Sequence, residues 1–273
     1  MHTFNKLFSG IGRDLLQAPV VKNQYWQSTK VNQGTKELLN FTLRLELKDA
    51  EDLGAVQDAI QPNLPWADRH FDLERISGEP INPGTTWREW PYALSADKHR
   101  REGAKDPQFD HSYAERYWPK YAGKTEGGYI DGDQDPIPCA AGIRFQYGDL
   151  NDLVEVLLED HTTRQAYLPI WFPEDLAAAR DKKRVPCSLG YHFIVRDGKM
   201  HIVYYIRSCD FIRHFRDDVY LTIRLLLWVL EQCQKRSDKW NGVEPGTFTM
   251  HVTSLHIFES DAIYLNKMLN KKV

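Results

Sequence analysis

Apolar and polar residues alternate in several short segments of the chain, a pattern typical of strands with one buried face. Residues 41–47 place an apolar side chain at every second position. The apolar-rich runs 189–195 and 200–206 are joined by residues 196–199, with the sequence Arg-Asp-Gly-Lys. Because Asp-Gly between two such runs is a strong hairpin signal, this segment predicts a tight β-hairpin. Residues 248–258 predict one further strand.

Other segments carry a helical period. Residues 148–160 repeat their apolar positions on one helical face, and Asp149 is placed to cap that helix. Residues 219–233 are apolar on most faces, which predicts a long helix buried on all sides. Helices and antiparallel strands follow one another without a β-α-β rhythm. We therefore predict an α+β fold formed by one domain over residues 1–273.

Composition narrows the function classes. The chain has 273 residues, of which 42% are hydrophobic, and its formal net charge is −3. That balance predicts no direct nucleic-acid partner, whereas an anionic small molecule held by a few arginines stays possible. We expect neither a membrane span nor a signal peptide, because no apolar run is long enough. Four cysteines without CxxC spacing favour a reducing cytoplasm over a disulfide scaffold or a metal site: Cys139, Cys187, Cys209 and Cys233.

Cys187 is the candidate nucleophile. It follows Lys182, Lys183 and Arg184 closely in the chain, and nearby positive charge lowers the pKa of a thiol and favours the thiolate. A buried structural cysteine is the alternative for a cysteine considered in isolation. The other cysteines lack this cationic context.

Arg207 and Ser208 form a second candidate cluster at the end of the predicted hairpin. A guanidinium donates two parallel hydrogen bonds and a hydroxyl adds a third, so the pair is suited to a phosphate. A solvated turn is the alternative for the pair alone. The charged residues 213–218 that follow are typical of an exposed helix start.

The spacing of these residues resembles the thymidylate synthase superfamily. In that family an Arg-Ser-x-Asp motif follows the Pro-Cys nucleophile by twenty positions, and a base-reading residue lies eleven positions beyond the arginine. Pro186-Cys187, Arg207 to Asp210 and Asp218 keep these intervals. Further matching segments are Ser112-Tyr113, Thr163-Arg164-Gln165, and Pro245-Gly246 followed by His256. The similarity covers residues 110 to 260 well and residues 20 to 90 poorly.

The resemblance implies a three-layer fold in which a mixed sheet is flanked by helices around a long buried central helix, and it implies a homodimer. Cys187 would add to C6 of a pyrimidine nucleoside monophosphate, and 5,10-methylenetetrahydrofolate would supply a one-carbon unit to C5. The other implied roles are phosphate binding by Arg207 and Ser208, contact of Arg164 with the phosphate of the neighbouring subunit, sugar binding by His256, a folate-side position for Asp210, and assistance by Tyr113 in removing the C5 proton.

Departures from the family pattern favour a cytosine substrate. Asp218 stands where thymidylate synthases have asparagine, and an ionised carboxylate only accepts hydrogen bonds, which suits the amino group of cytosine. The segment resembles the deoxycytidylate hydroxymethylases here, and Ser188 in place of a histidine points the same way. Gln165 and Phe258 replace an arginine and a tyrosine of the family, which leaves both dCMP and CMP as substrates. The short segment after His256 suggests a less sealed site, where water completes a hydroxymethyl group.

The family also uses a glutamate as general acid/base. Within residues 71–76 we assign this role to Glu74, with Asp72 second and an exposed charged helix as the alternative. Of Trp87 and Trp90 we assign Trp87 to the folate side. The phosphate-loop arginine of the family has no clear counterpart, and its substitutes are Lys22 or Lys30.

Taken together, these observations lead to one hypothesis: folate-dependent C5 hydroxymethylation of dCMP or CMP. The alternatives are C5 methylation of dCMP or dUMP, and an inactive relative that only binds nucleotide.

Overall fold

A computed structural model describes residues 4–22, 34–48, 50, 52–93, 109–121 and 147–270. The predictions for Lys30 and Cys139 lie outside these residues. Within the part of the chain that the structure describes, no helix combines the length and apolarity needed to cross a membrane. The three cysteines that are described, Cys187, Cys209 and Cys233, are free thiols.

The centre of the fold is a mixed six-stranded sheet with the strand order β1-β2-β6-β5-β4-β3. The β5 and β6 strands are parallel, and the other neighbours are antiparallel. The predicted hairpin is confirmed, since β4 and β5 pair next to the turn from Arg196 to Lys199. The strands are β1 (Val20–Lys22), β2 (Gly34–Glu46), β3 (Tyr167–Pro169), β4 (Ser188–Arg196), β5 (Lys199–Asp210) and β6 (Glu244–Phe258).

The β2 strand is longer than the alternation at residues 41–47 predicts. Its first half is not strictly alternating, but it pairs with β6 from Thr35 opposite Phe258 to Glu46 opposite Thr247. Backbone pairing with a long neighbour therefore extends the strand beyond its own sequence signal.

The described helices are α1 (Phe4–Gln17), α2 (Leu53–Ile60), α3 (Trp66–His70), α4 (Tyr113–Tyr117), α5 (Leu150–Glu159), α6 (Glu174–Arg180), α7 (Phe215–Arg236) and α8 (Ala262–Asn270). The cap predicted for α5 is confirmed, because the Asp149 carboxylate accepts from the backbone amides of Asn151 and Asp152. Helix α3 continues directly into a π-helical segment, Phe71–Arg75. Such wide turns are often found at functional sites.

Three layers surround the predicted central helix. Helix α7 packs on β5 and β6, while α2, α3 and α5 pack on α7 from its other side. Along α7 the buried residues include Val219, Leu225, Leu226 and Val229, so the helix is enclosed as its apolar composition predicts. The α+β class and the three-layer arrangement are confirmed.

The two faces of the sheet differ. Tyr204, Ile202 and Phe193 on one face are at most 1% exposed and form part of the hydrophobic core. The other face carries Tyr205 in register with His251, and side chains of this second face remain partly or fully exposed: Thr42, Arg44, Tyr167, His192, Ile194, His201, Val203, Tyr205, Thr249 and His251.

Candidate active site

The loop before β4 carries Cys187, and Arg207 on β5 holds this loop in place. The Arg207 backbone amide donates to the carbonyl of Cys187 at 2.9 Å. Its guanidinium donates through Nε to the Pro186 carbonyl at 2.9 Å and through Nη2 to the Val185 carbonyl at 3.2 Å. The strand position of Arg207 thus fixes the nucleophile loop through three hydrogen bonds.

Burial raises the pKa of the Cys187 thiol. The positive charges of Arg207 and Arg184 oppose this, and the negative charge of Asp218 adds to it. The expectation that the cationic run activates the thiol is wrong on balance, since Lys182 and Lys183 are exposed and the remaining cations do not outweigh burial. The thiol of the free protein is therefore protonated at neutral pH, and it could act as a nucleophile only after losing this proton.

Asp218 lies in the first turn of α7 with its carboxyl group turned toward the same loop. Among the described residues, that carboxyl accepts one weak hydrogen bond, from the Cys209 thiol at 3.5 Å. Burial raises its pKa to about 7, although the charge of Arg75 opposes the shift. Both the acid and the carboxylate are therefore populated at neutral pH, so Asp218 can donate a hydrogen bond as well as accept one.

Ser188 follows the nucleophile and has no exposed surface. Its hydroxyl donates to the Tyr113 hydroxyl at 3.0 Å and shares a 2.6 Å hydrogen bond with the Tyr204 hydroxyl. Since Ser188 donates to Tyr113, the Tyr113 proton is free to donate elsewhere. Burial raises the pKa of Tyr113, and the charges that Cys187 and Asp218 carry when they are ionised raise it further, so this group acts as a neutral hydroxyl.

Helix α4, which carries Tyr113, is anchored by two features. The Ser112 side chain forms a capping box with Glu115. Arg116 makes a bidentate ion pair with Asp175 at 2.9 and 2.8 Å, and both side chains are only 3% exposed. A five-residue helix is too short to be stable alone, so these contacts determine where the Tyr113 hydroxyl lies.

Glu74 lies in the π-helical segment and is 4% exposed. One carboxylate oxygen accepts from the amide and the hydroxyl of Thr86, both at 2.6 Å, and the other from His70 Nδ1 at 2.8 Å. Burial opposes ionisation, but these hydrogen bonds outweigh it and lower the pKa of Glu74. A Cβ atom at Gly84 would lie 1.9 Å from the carboxylate, so the loop that carries Thr86 approaches this closely only with glycine at that position.

Asp72 is placed differently, because it is exposed and pairs with Arg224 of α7 at 2.8 Å. The exposed position of Asp72 therefore favours Glu74 over Asp72 as the candidate general acid/base.

The expected folate side is partly occupied by internal contacts. The Asp210 carboxylate accepts from the backbone amides of Ile212 and Arg213 at 2.9 and 3.0 Å and from the Arg213 guanidinium at 2.7 Å. Trp87 packs edge-on against Phe109 with ring centroids 5.3 Å apart. Trp90 instead stacks on His214, the residue that precedes α7, at 4.6 Å.

The parallel pairing of β5 with β6 brings two predicted ligand groups together. Asp210 lies in register with His256, and Ser208 lies in register with Ser254. His256 is half-buried, and its ring contacts the ring of Phe258 with centroids 5.6 Å apart.

Arg164 lies at the β3 edge of the sheet and is exposed. It lines a surface cleft of about 720 Å³ together with Thr163 and Arg196. His192, on the exposed face of the sheet, contacts the Arg164 carbonyl through Nε2 at 3.0 Å. Lys22, at the end of β1, is also exposed and makes no contact with the cysteine loop among the described residues.

Several residues of the site were not found from the sequence. His70 and Thr86 hold Glu74, Tyr204 holds Ser188, and Arg75 lies between the Glu74 cluster and Tyr113. Only Arg75 gave a usable signal, a charged residue directly after the proposed general base. Burial of that charge depends on tertiary packing, which a single sequence does not report.

A half-buried cysteine beside a neutral tyrosine hydroxyl and a titratable carboxyl group defines a candidate site for covalent catalysis by a thiol. The comparison with known families agrees: the model of the family described as thymidylate synthase matches residues 19–273. The chain belongs to the thymidylate synthase family.

Similar proteins come from methanogenic archaea and carry the name "Putative thymidylate synthase". The protein of Methanosarcina barkeri is 30% identical over 122 residues, which are 44% of this chain and 51% of that protein. The protein of Methanosarcina mazei is 31% identical over 109 residues, 40% of this chain and 45% of its own length. The protein of Methanocaldococcus jannaschii is 29% identical over 133 residues, which are 46% of this chain and 56% of that protein. The chain thus spans about half the length of the curated relatives that it matches.

Proposed function

We propose that this protein transfers a hydroxymethyl group to C5 of a cytosine nucleotide, dCMP or CMP, using 5,10-methylenetetrahydrofolate as co-substrate. The observation that carries the proposal is Asp218, a carboxyl group with free hydrogen-bonding capacity at the position where the family has its base-reading residue. As a carboxylate it accepts from the cytosine amino group, and as an acid it donates to a ring nitrogen.

The proton balance of the first step follows from the same residues. The Cys187 thiol is protonated, and Asp218 has a pKa of about 7, so its carboxylate form can take the thiol proton. The thiolate then adds to C6, and Asp218 returns the proton to N3 of the ring. One S–C bond forms, the C5–C6 double bond is consumed, and C5 becomes a carbon nucleophile.

The later steps need a base at C5 and access for water. Tyr113 supplies a neutral hydroxyl group, whose position is set by the hydrogen bond from Ser188. Glu74 is an ionised carboxylate that accepts protons through ordered water. Once C5 has received the one-carbon unit, loss of the C5 proton would release tetrahydrofolate as the leaving group. Water would then add to the exocyclic carbon, and Cys187 would leave C6 as N3 returns its proton to Asp218. Methylation of dCMP or dUMP, with hydride instead of water, is the first alternative.

The folate-side residues fit a planar ring system with polar edges. Trp90 and His214 form an aromatic surface next to Asp210. A carboxylate has about four acceptor positions, and Asp210 uses three of them, so one is left for an N–H group of the pterin. The co-substrate supplies the one-carbon unit. Trp90 suits this contact better than Trp87, which packs against Phe109.

The raised pKa of Asp218 also favours a second candidate substrate. A protonated carboxyl group offers one donor and one acceptor, the same set that an asparagine amide presents to uracil. A uracil nucleotide therefore becomes the competing substrate below about pH 7, the pKa of Asp218.

The exposed face of the sheet supports the homodimer part of the proposal. Aromatic and aliphatic side chains on that face, among them Tyr205 and Val203, remain accessible, and a second copy of the chain would cover them. His192 on this face holds the Arg164 segment, so Arg164 lies beside the proposed interface. From there its guanidinium would reach the phosphate that Arg207 and Ser208 bind in the other subunit.

The test is mass spectrometry of the products formed from dCMP, CMP, dUMP and UMP in parallel with methylenetetrahydrofolate. A hydroxymethyl group on a cytosine nucleotide supports the proposal and identifies the sugar. A methyl product supports the alternative chemistry, and modification of uracil alone contradicts the assignment of Asp218. Absence of any product would favour an inactive nucleotide-binding relative.

The dimer is tested by mixing two inactive variants, Cys187→Ser and Arg164→Ala. If Arg164 serves the neighbouring subunit, mixed dimers regain up to about a quarter to a half of the activity, because one site per dimer is intact. Arg180→Ala, a change of another exposed arginine, is the matched control and should keep full activity by itself. No recovery in verified mixed dimers would contradict the role of Arg164.

A further inference from the structure

Two buried arginines of this protein differ in how their charge is balanced. Arg116 is 3% exposed and pairs with Asp175 through two hydrogen bonds. Arg75 is 4% exposed, yet no carboxylate lies within ion-pair distance of its guanidinium among the described residues. Because an uncompensated charge is costly to bury, an arginine of this kind indicates a negative charge that arrives with a ligand or forms during a reaction.

The guanidinium of Arg75 is held by neutral groups. Its Nε donates to His70 Nε2 at 3.1 Å and its Nη1 donates to the Tyr117 hydroxyl at 3.2 Å. Since Arg75 must donate to Nε2, the imidazole of His70 carries its proton on Nδ1, which faces Glu74. These contacts fix the position of the guanidinium, and neither of them is to a carboxylate.

The same guanidinium lies next to the reacting groups. Its central carbon is 4.4 Å from the centre of the Tyr113 ring, and the Tyr113 hydroxyl accepts from Ser188, the residue after Cys187. The charge of Arg75 also acts on Asp218, where it opposes the rise of the pKa caused by burial. Arg75 is therefore at the end of the site where Asp218 is proposed to bind the base.

We propose that Arg75 supplies the positive charge that balances the negative charge formed at the base end of the nucleotide when Cys187 adds to C6. This inference rests on the proposed function. The thiolate brings one negative charge, which passes into the pyrimidine ring as the S–C bond forms. When Asp218 then protonates N3, the same charge remains on the Asp218 carboxylate. In both positions it faces Arg75, and a preorganised cation there needs no reorganisation during the step.

The first experiment separates this electrostatic role from a structural one. We expect Arg75→Gln to lower the rate of C5-proton release from the preferred nucleotide by about 10²- to 10³-fold, the usual effect of removing one preorganised donor. The dissociation constant of the nucleotide should change less than about threefold, because the base binds uncharged and the negative charge enters its ring only on addition. Arg75→Lys keeps a cation and should recover at least about tenfold of the loss.

Tyr117→Phe is the matched control, since it removes the hydroxyl that Arg75 binds and keeps both the ring and the guanidinium charge. Its rate should fall by at most about tenfold, well short of the loss in Arg75→Gln, because the contact that holds the guanidinium is lost but the positive charge is kept. Equal losses in Tyr117→Phe and Arg75→Gln would assign Arg75 a structural role and overturn the proposal. Thermal unfolding of each variant identifies a loss that comes from misfolding.

The second experiment needs no substrate. The Asp218 carboxyl group is titrated by ¹³C NMR, assigned from its absence in Asp218→Asn, in the wild type and in Arg75→Gln. The other groups that face Asp218 are unchanged in this comparison: Cys187, Cys209, Asp210, Asp217, Tyr113 and Tyr204. We expect a higher pKa in Arg75→Gln, and an unchanged pKa would overturn the placement of the Arg75 charge.

The two experiments fail in different ways. If the wild type processes no pyrimidine nucleotide, the proposed function is wrong, and the NMR titration alone still decides whether Arg75 acts at Asp218. If the wild type is active but Arg75→Gln is equally active, the proposed function stands and the role of Arg75 is wrong.

Discussion

The nucleophile side of the site lies on long strands, whereas the carboxylate side lies on short helical segments. Cys187, Arg207, Asp210 and His256 are placed by the pairing of β4, β5 and β6, where backbone hydrogen bonds set the register. Glu74 and Tyr113 lie on segments of five residues each. Because so few residues cannot hold a helix in place, the second side depends on specific buried side chains. Single substitutions should therefore change geometry more on the helical side than on the strand side.

The largest effect is expected on the strand side, where the chemistry itself is removed. Cys187→Ser should lower C5-proton release by roughly 10⁴-fold or more, because a serine hydroxyl is a far weaker nucleophile. Nucleotide binding, measured by calorimetry, should stay within about threefold because Arg207 still holds the loop through backbone carbonyls. Normal activity in this variant would contradict the assignment of the nucleophile.

Glu74→Gln tests the helical side without changing its shape. A general acid/base raises the reaction rate by about 10²- to 10⁴-fold. We therefore expect the turnover rate of Glu74→Gln to fall by at least about 10²-fold, with a small change in KM. Asp72→Asn is the matched control, since Asp72 is exposed and faces Arg224, and it should keep activity within about twofold. A larger loss in Asp72→Asn than in Glu74→Gln would instead assign the role of general acid/base to Asp72.

Asp175→Asn tests whether the helical side of the site depends on a buried ion pair. It leaves Arg116 buried without its partner, which costs about 3 kcal/mol in the free energy of unfolding. Tyr113 lies three residues before Arg116 on the same short helix, so activity measured well below the melting temperature should fall as well. A variant that loses stability but keeps full activity would mean that α4 does not need this anchor.

The last prediction concerns the pH dependence of stability. The pKa of Asp218 is raised from 3.8 to about 7, so the folded state binds this proton more tightly than the unfolded chain does. Asp218 therefore lowers stability progressively as pH rises from about 4 to 7, and fully above 7. Asp218→Asn should be more stable than the wild type at pH 8, by on the order of 4 kcal/mol at 1.36 kcal/mol per pKa unit, with convergence near pH 4.

Urea unfolding at pH 4, 6 and 8 measures this difference. The same variant should shift its preference from cytosine toward uracil nucleotides, because an amide cannot change its protonation state. An equal stability difference at all three pH values would contradict the raised pKa, and an unchanged base preference would contradict the role of Asp218 as base reader.

Several features of this protein followed from the sequence alone. The Asp-Gly hairpin, the Asp149 cap and the buried α7 helix were predicted because local chemistry and periodicity determine them. The spacing from Cys187 to Arg207 and Asp218 carried the family resemblance, and that resemblance proposed the residues on the strand side of the candidate site. The identity of Glu74 was proposed from its segment, but its contacts were not.

Tertiary structure decided the protonation states of the site residues and the contacts that hold those residues in place. Whether Cys187 is a thiol or a thiolate depends on the balance between burial and the charges of Arg207 and Asp218, and neighbouring lysines in the sequence gave the wrong sign. Likewise, Arg75 and Arg116 look alike in the sequence, and only packing separates a paired from an unpaired guanidinium. The physical reason is that desolvation and Coulomb interactions depend on distances in space, which residues far apart in the chain determine together.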